Sequence, residues 1–175
     1  MFDELSLELF RDSHIGMTYR WLTHSPLLCE QVDTLKVPTK EGNRAYWLSN
    51  IANNKRKDFA IIIDKNTHIG NCGLNHIDYT RMKAELWIYL AERYGRGFGY
   101  TAINQLMALG FVELGLNKIY LRVAANNTKA SRLYKACGFV QDGVLRDESI
   151  NTKGQFVDYI LMTQLLIEYR GLKGN

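Results

Sequence analysis

Residues 94–99, YGRGFG, place glycine at every second position between a segment that reads as a strand and one that reads as a helix. Each glycine inside a regular element costs about 1 kcal/mol relative to alanine, so the run ends the strand and delays the helix. Such a junction offers bare backbone. The first N–H groups of the following helix have no intrahelical partner, and the helix dipole stands behind them. Without Cβ atoms in the way, an anion approaches those groups closely. Gly95, Gly97 and Gly99 therefore read as an anion cradle, or more plainly as a turn whose backbone angles need glycine. The GxGxG spacing is not a Walker A loop, since no Gly-Lys-Ser/Thr follows. It also differs from the dinucleotide fingerprint in spacing and in coming late in the chain.

The remainder alternates between short strands and helices. LSLELF (5–10) alternates like a strand, and Ser13 is placed to cap a helix running to His24. Thr39 is placed to cap a second helix over 40–53. FAIIID (59–64), IGNCGLNHIDY (69–79) and AELWIYLA (84–91) read as an antiparallel meander, the two glycines of the middle strand marking a bulge or a close approach. After the glycine run come a helix (98–114), a strand (118–125), a helix (128–137) ended by Gly138, and two strands around the turn NTKGQ. A strand reached through a helix points to a parallel crossover. The order βααβββαβαββ is mixed α+β, with one strand–glycine–helix junction in its middle.

At 175 residues, 46% of them apolar and 23% charged, the chain reads as one domain over 1–175 with a sizeable core. No apolar run approaches the ~20 residues of a membrane span, and the acidic, alternating start is unlike a signal peptide. Cys29, Cys72 and Cys137 are odd in number and far apart, which fits free thiols in a reducing cytoplasm. His14, His24, His68 and His76 show no metal-ligand spacing. The net charge of +4 suits an anionic ligand but is too small to imply nucleic acid. Trp21, Tyr46 and Trp47 read mainly as core between helices.

A second segment narrows the reading. In NNTKASRLYKACGF, Asn127, Ala130 and Tyr134 fall at i, i+3 and i+7, one face of a helix. A tyrosine there is more often packed core than catalyst. The glycine run and this stripe, some 30 residues apart, together resemble the signature of the GNAT superfamily of acetyl-CoA-dependent N-acetyltransferases, and most of all its RimJ/RimL branch and the related spermidine acetyltransferases. The likeness is strong from about 84 to 165 and loose in the N-terminal third. One departure is Tyr94, which stands where the superfamily usually has Gln or Arg.

The resemblance implies a sheet of about seven strands flanked by about four helices, with acetyl-CoA as co-substrate and no metal. Its pyrophosphate would sit on the backbone of Gly95, Arg96, Gly97, Phe98, Gly99 and Tyr100. Its pantetheine arm would run beside Ile88, Tyr89 and Leu90. Asn127 and Ala130 would line the arm, and Tyr134 would stand by the thioester sulfur. A phenol of ordinary pKa near 10 is protonated at neutral pH and can donate to a departing thiolate. The attacking amine must lose a proton, and Glu85, on the strand leading to the loop, is the carboxylate best placed by sequence. Asp78 and Glu148 are weaker alternatives, and a solvated strand residue is the plainer reading of Glu85. A noncatalytic acetyl-CoA-binding module and a transferase of other acyl groups are the competing functions. The acceptor stays open among a polyamine, an amino sugar or its nucleotide-linked form, and a protein N-terminus. The net basic charge weighs against the polyamine. A homo-oligomer, with neither nucleic acid nor membrane as partner, completes the expectation.

Overall fold

The computed structural model describes residues 4–25, 28, 36–93 and 95–174. Strands β1 (Leu5–Leu9), β2 (Lys57–Ile63), β3 (Thr67–Asp78) and β4 (Lys83–Leu90) form an antiparallel run. Helices α1 (Asp12–His24) and α2 (Lys40–Ile51) connect the first two of them. Helix α3 (Phe98–Ala108) extends into one π-helical turn at Leu109–Glu113 and delivers the chain to β5 (Lys118–Ala124), parallel to β4. Helix α4 (Thr128–Ala136) leads into the antiparallel pair β6 (Val140–Ile150) and β7 (Phe156–Leu165). The strand order is β1-β2-β3-β4-β5-β7-β6, because β7 rather than β6 lies against β5. The mixed seven-stranded sheet and the element order agree with the sequence reading. One helix more than expected is present: α5 (Leu166–Lys173) follows β7 directly.

The sequence dictates two different sheet faces. Along β4 the even positions Leu86, Ile88 and Leu90 face the main core with Ile103, Leu106 and Ile119, under α3 and α4. The odd positions Trp87 and Tyr89 face the opposite side, where α1 and α2 bring Ile15, Trp21, Leu22 and Trp47. Leu166 and Tyr169 of α5 pack on the main core, the Tyr169 ring 4.9 Å from that of Phe111. Their spacing of three, with Glu168 Oε2 accepting from the Leu165 N–H at 2.8 Å, is the local signal for a helix there.

Two local expectations change. Helix α1 starts at Asp12, and His14 rather than Ser13 secures its entry: His14 Nδ1 accepts from the Arg11 backbone N–H at 3.0 Å. Tyr46 is exposed, so it is not core. Thr39 does cap α2, its hydroxyl oxygen accepting from the Gly42 N–H at 3.0 Å. The glycine expected to mark close approach in β3 does so at Gly73, where a Cβ would stand 2.8 Å from both Asp58 Oδ1 and Trp87 Nε1.

The feature that positions the site is a failure of pairing. β4 and β5 pair only over Lys83–Glu85 against Lys118–Tyr120. Each stays paired to its outer neighbour well beyond that, β4 with β3 to Leu90 and β5 with β7 to Ala124. The two strands part from each other and from nothing else.

Candidate active site

A groove of about 1170 Å³ occupies the gap between β4 and β5. Its backbone wall follows from strand alternation. The Ala91 N–H donates to the Ile69 carbonyl oxygen at 2.8 Å, so odd positions of β4 turn their peptide groups to β3. Ile88 and Leu90 turn theirs the other way, into the gap, where β5 no longer answers them. Tyr89 is on the β3 side, and its phenol, with pKa pushed up by burial, accepts from Asn71 Nδ2.

At the upper end of β4 the glycine run forms the second wall. Gly95 and Gly97 are left-handed, with φ of 79° and 82°, on either side of Arg96 just before α3. Alternation of left- and right-handed residues turns successive N–H groups toward one point, the geometry of an anion nest. Gly97 is the N-cap of α3, so the free N–H groups of Phe98, Gly99 and Tyr100 add to it. A Cβ on Gly95 or Gly97 would meet no protein atom within 4 Å, so the space above the nest is open to a ligand. Gly99 is closed instead: its Cβ would lie 3.0 Å from Leu133 Cδ2, and its bare Cα lets α3 sit against α4.

Helix α4 supplies the third wall. Asn127 caps it, its Oδ1 accepting from the Ala130 N–H at 3.2 Å. Two turns on, Tyr134 is 8% exposed, with its ring edge-on to Phe139. Burial pushes its phenol up to about 12. Cys137 is also buried, and its thiol is pushed up to about 11, away from the thiolate a nucleophile needs. Cys72 is free and buried; Cys29 and Tyr94 lie outside the described residues.

At the foot of the gap Glu85 is 7% exposed. Arg122 of β5 donates from Nε to Glu85 Oε1 at 2.8 Å and from Nη1 to Glu148 Oε1 at 2.9 Å. These hydrogen bonds raise the guanidinium above its ordinary pKa, the Glu85 bond contributing most. The groove is also walled by Tyr46, Trp47 and Trp87. Asp58 fixes the Trp87 indole by accepting from its Nε1 at 3.2 Å, and Arg56 grips the same carboxylate through Nε and Nη2.

The groove thus gathers Glu85, Tyr134 and, among the described residues, every residue expected to hold the co-substrate except Arg96, an exposed loop residue. Asp78 is elsewhere, tied to Arg81. Sequence reasoning missed Arg122 and His76. A lone arginine among Ile119, Leu121 and Val123 was the available signal for the first. His76 had none, because it depends on a register slip in β3.

Residues 4–140 match the family described as Acetyltransferase (GNAT) domain. The chain belongs to the GNAT acetyltransferase family. It is 40% identical over 120 residues, 66% of its own length and 69% of the relative's, to spermidine N(1)-acetyltransferase of Vibrio cholerae serotype O1 (strain ATCC 39315 / El Tor Inaba N16961). It is 35% identical over 115 residues to uncharacterized N-acetyltransferase p20 of Bacillus licheniformis, covering 65% of this chain and 64% of that one. Its fold superposes with a TM-score of 0.88 and 28% identity on the crystal structure of Vibrio cholerae spermidine N-acetyltransferase in complex with CoA and spermine, covering 94% and 97% of the two chains. The protein is an N-acetyltransferase that draws its acetyl group from acetyl-CoA. The open nest and the unanswered edge of β4 fit the pyrophosphate and the amide-bearing arm of that molecule. Among the described residues no group of His, Cys, Asp and Glu is placed to hold a metal, and no described helix is long and apolar enough to cross a membrane.

If the nest holds the pyrophosphate, Gly97→Val raises the acetyl-CoA dissociation constant at least about tenfold, one ~1.4 kcal/mol step, because a branched Cβ resists the left-handed backbone and fills the approach. Calorimetry on a folded variant with unchanged affinity would remove the nest from the site.

Proposed function

We propose that the enzyme acetylates a primary amine of a polyamine, with Tyr134 as general acid and Glu85 as proton acceptor. The observation that carries the acceptor assignment is the Glu85–Arg122–Glu148 chain, which sets two carboxylates against one guanidinium in the groove. Arg56, on the same wall, is matched by Asp58. The overall charge of +4 therefore does not describe the acceptor end, which suits a cation. The exposed ring of Tyr46 adds a surface that attracts ammonium groups. The Vibrio cholerae relative and solved structure compared above bear the name spermidine N-acetyltransferase, which supports the same reading.

Acetyl-CoA supplies the activated acetyl group and a thiolate leaving group. Tyr134 holds the proton such a leaving group requires. Its raised pKa keeps the phenol protonated well above neutral pH, so this donor is not lost between about pH 7 and 10. Its hydroxyl has no hydrogen-bond partner in the structure among the described residues and lines the groove. Glu85 faces the acceptor with a carboxylate steadied by Arg122 and takes the proton that the nitrogen sheds. The aromatic wall fixes where the amine enters.

One experiment tests these roles together: initial rates of wild type and Tyr134→Phe on spermidine, spermine, glucosamine, an aminoglycoside and an N-terminal peptide. The polyamines lead the wild-type panel in kcat/KM by at least about tenfold, and Tyr134→Phe lowers kcat by at least about tenfold with acetyl-CoA affinity unchanged. Preference for a sugar or a peptide would overturn the acceptor; a fully active Tyr134→Phe would return the tyrosine to the core.

A homo-oligomer in the cytoplasm is part of the same proposal. Vibrio cholerae spermidine N-acetyltransferase is described as dodecameric. Light scattering is expected to give a mass well above the 20.2 kDa of one chain, and the monomer mass across concentrations would contradict it.

A further inference from the structure

In a regular strand neighbouring side chains point to opposite faces. β3 departs from that rule beside Glu85. Its pairing with β4 is regular as far as Asn75 opposite Glu85, then slips, and resumes at Asp78 opposite Lys83. His76, inside the slip, is left-handed with φ 49°, a conformation that costs a non-glycine residue energy and that clusters at functional sites. The result is that two consecutive side chains reach one carboxylate. His76 Nε2 lies 3.7 Å from Glu85 Oε2. The Asn75 amide, with its nitrogen turned to the carboxylate, donates to the same oxygen at 3.3 Å and to the Glu85 carbonyl oxygen at 3.0 Å. Arg122 occupies the other oxygen. The Glu85 side chain is 9% exposed and that of His76 is 69% exposed.

We propose that His76 carries the amine's proton from Glu85 to solvent. The inference rests on the reading of Glu85 as proton acceptor. A carboxylate shut inside a groove must pass on each proton before the next turnover, and with substrates bound its access to water is reduced. An imidazole accepts on one nitrogen while releasing from the other. As the bond from nitrogen to the acetyl carbon forms and the bond from carbon to sulfur breaks, the nitrogen's proton goes to Glu85 Oε2. It then moves to His76 Nε2 as the two groups close to hydrogen-bond distance, and the proton on Nδ1 leaves to water. Tyr134 protonates the thiolate and is refilled from solvent. The ammonium gives up its first proton by the same route before it attacks, so two protons leave the nitrogen, one is taken up with the thiolate, and one is released for each ammonium acetylated. The charged groups around the imidazole are Glu85 of β4, Arg122 of β5 and Glu148 of β6 behind it, and Asp78 two residues along β3.

The test compares His76→Gly and Glu85→Gln on the best acceptor of the amine panel, each with and without added imidazole. Glycine accepts the left-handed backbone, so the bulge persists. His76→Gly is expected to lower kcat at least about tenfold. Acetyl-CoA affinity stays unchanged, and imidazole restores part of the rate. Imidazole does nothing for Glu85→Gln, which stays impaired. An unimpaired His76→Gly, or a loss that imidazole leaves untouched, overturns the inference about His76 while the impaired Glu85→Gln leaves Glu85 in place. A fully active Glu85→Gln overturns the reading of Glu85, and the proton route through His76 with it.

Discussion

The site depends on peptide groups of one strand that no neighbouring strand answers among the described residues. Buried backbone N–H and C=O groups are nearly always paired. In β4 those of Ile88 and Leu90 are turned toward a neighbour that has already diverged, because β5 stays committed to β7 along its whole length. A sheet that opens in this way leaves a slot one strand wide. The chain fits a ligand whose own amides can complete the ladder, and acetyl-CoA has such amides in its arm. The glycine nest and the start of α3 stand at the end of the same slot, ready for a diphosphate. On this reading fold and co-substrate are one problem: the missing hydrogen bonds of the sheet would be the binding site.

The foot of the slot poses an electrostatic problem. Glu85 is withdrawn from water, and a withdrawn carboxylate needs partners. Arg122 reaches it from β5 and spans to Glu148 of β6. The bond to Glu148 also ties the β6–β7 hairpin, whose Ser149 and Ile150 line the groove, to the centre of the sheet. The bulge in β3 adds Asn75 and His76 from the opposite side. β3 and β5 thus converge on one acidic group from either side, and β6 reaches it through Arg122. Under the proposed function, the same charges let a chain with net +4 offer an acceptor end suited to a cation.

Much of this was legible in the sequence because it depends on short-range constraints. Gly95 and Gly97 announce a left-handed backbone before a helix, and Asn127, Ala130 and Tyr134 share a face because a helix turns every 3.6 residues. The alternation in AELWIYL puts Leu86, Ile88 and Leu90 on one face and Trp87 and Tyr89 on the other. What stayed hidden depends on register. Whether Arg122 meets Glu85 is decided by the parallel pairing of β5 with β4, and His76 meets it only because β3 slips by its bulge. Ser13 looked like the cap of α1 by residue type, but His14 reached back to Arg11 first. Helix α5 was lost in the apolar run that closes β7, and Tyr46 looked like core because helix periodicity does not say which neighbour is absent. Total charge says little about the acceptor, since a sum carries no positions.

The central claim is that the unanswered edge of β4 takes up acetyl-CoA as an added strand. Amide hydrogen exchange with and without CoA tests it at single residues. The amides of Ile88 and Leu90 should become protected on binding, by at least about tenfold, while those of Trp87 and Tyr89, already turned to β3, change little. Equal exchange at Ile88 and Leu90 with saturating CoA would mean that the ligand binds elsewhere, and that the gap between β4 and β5 is not its site.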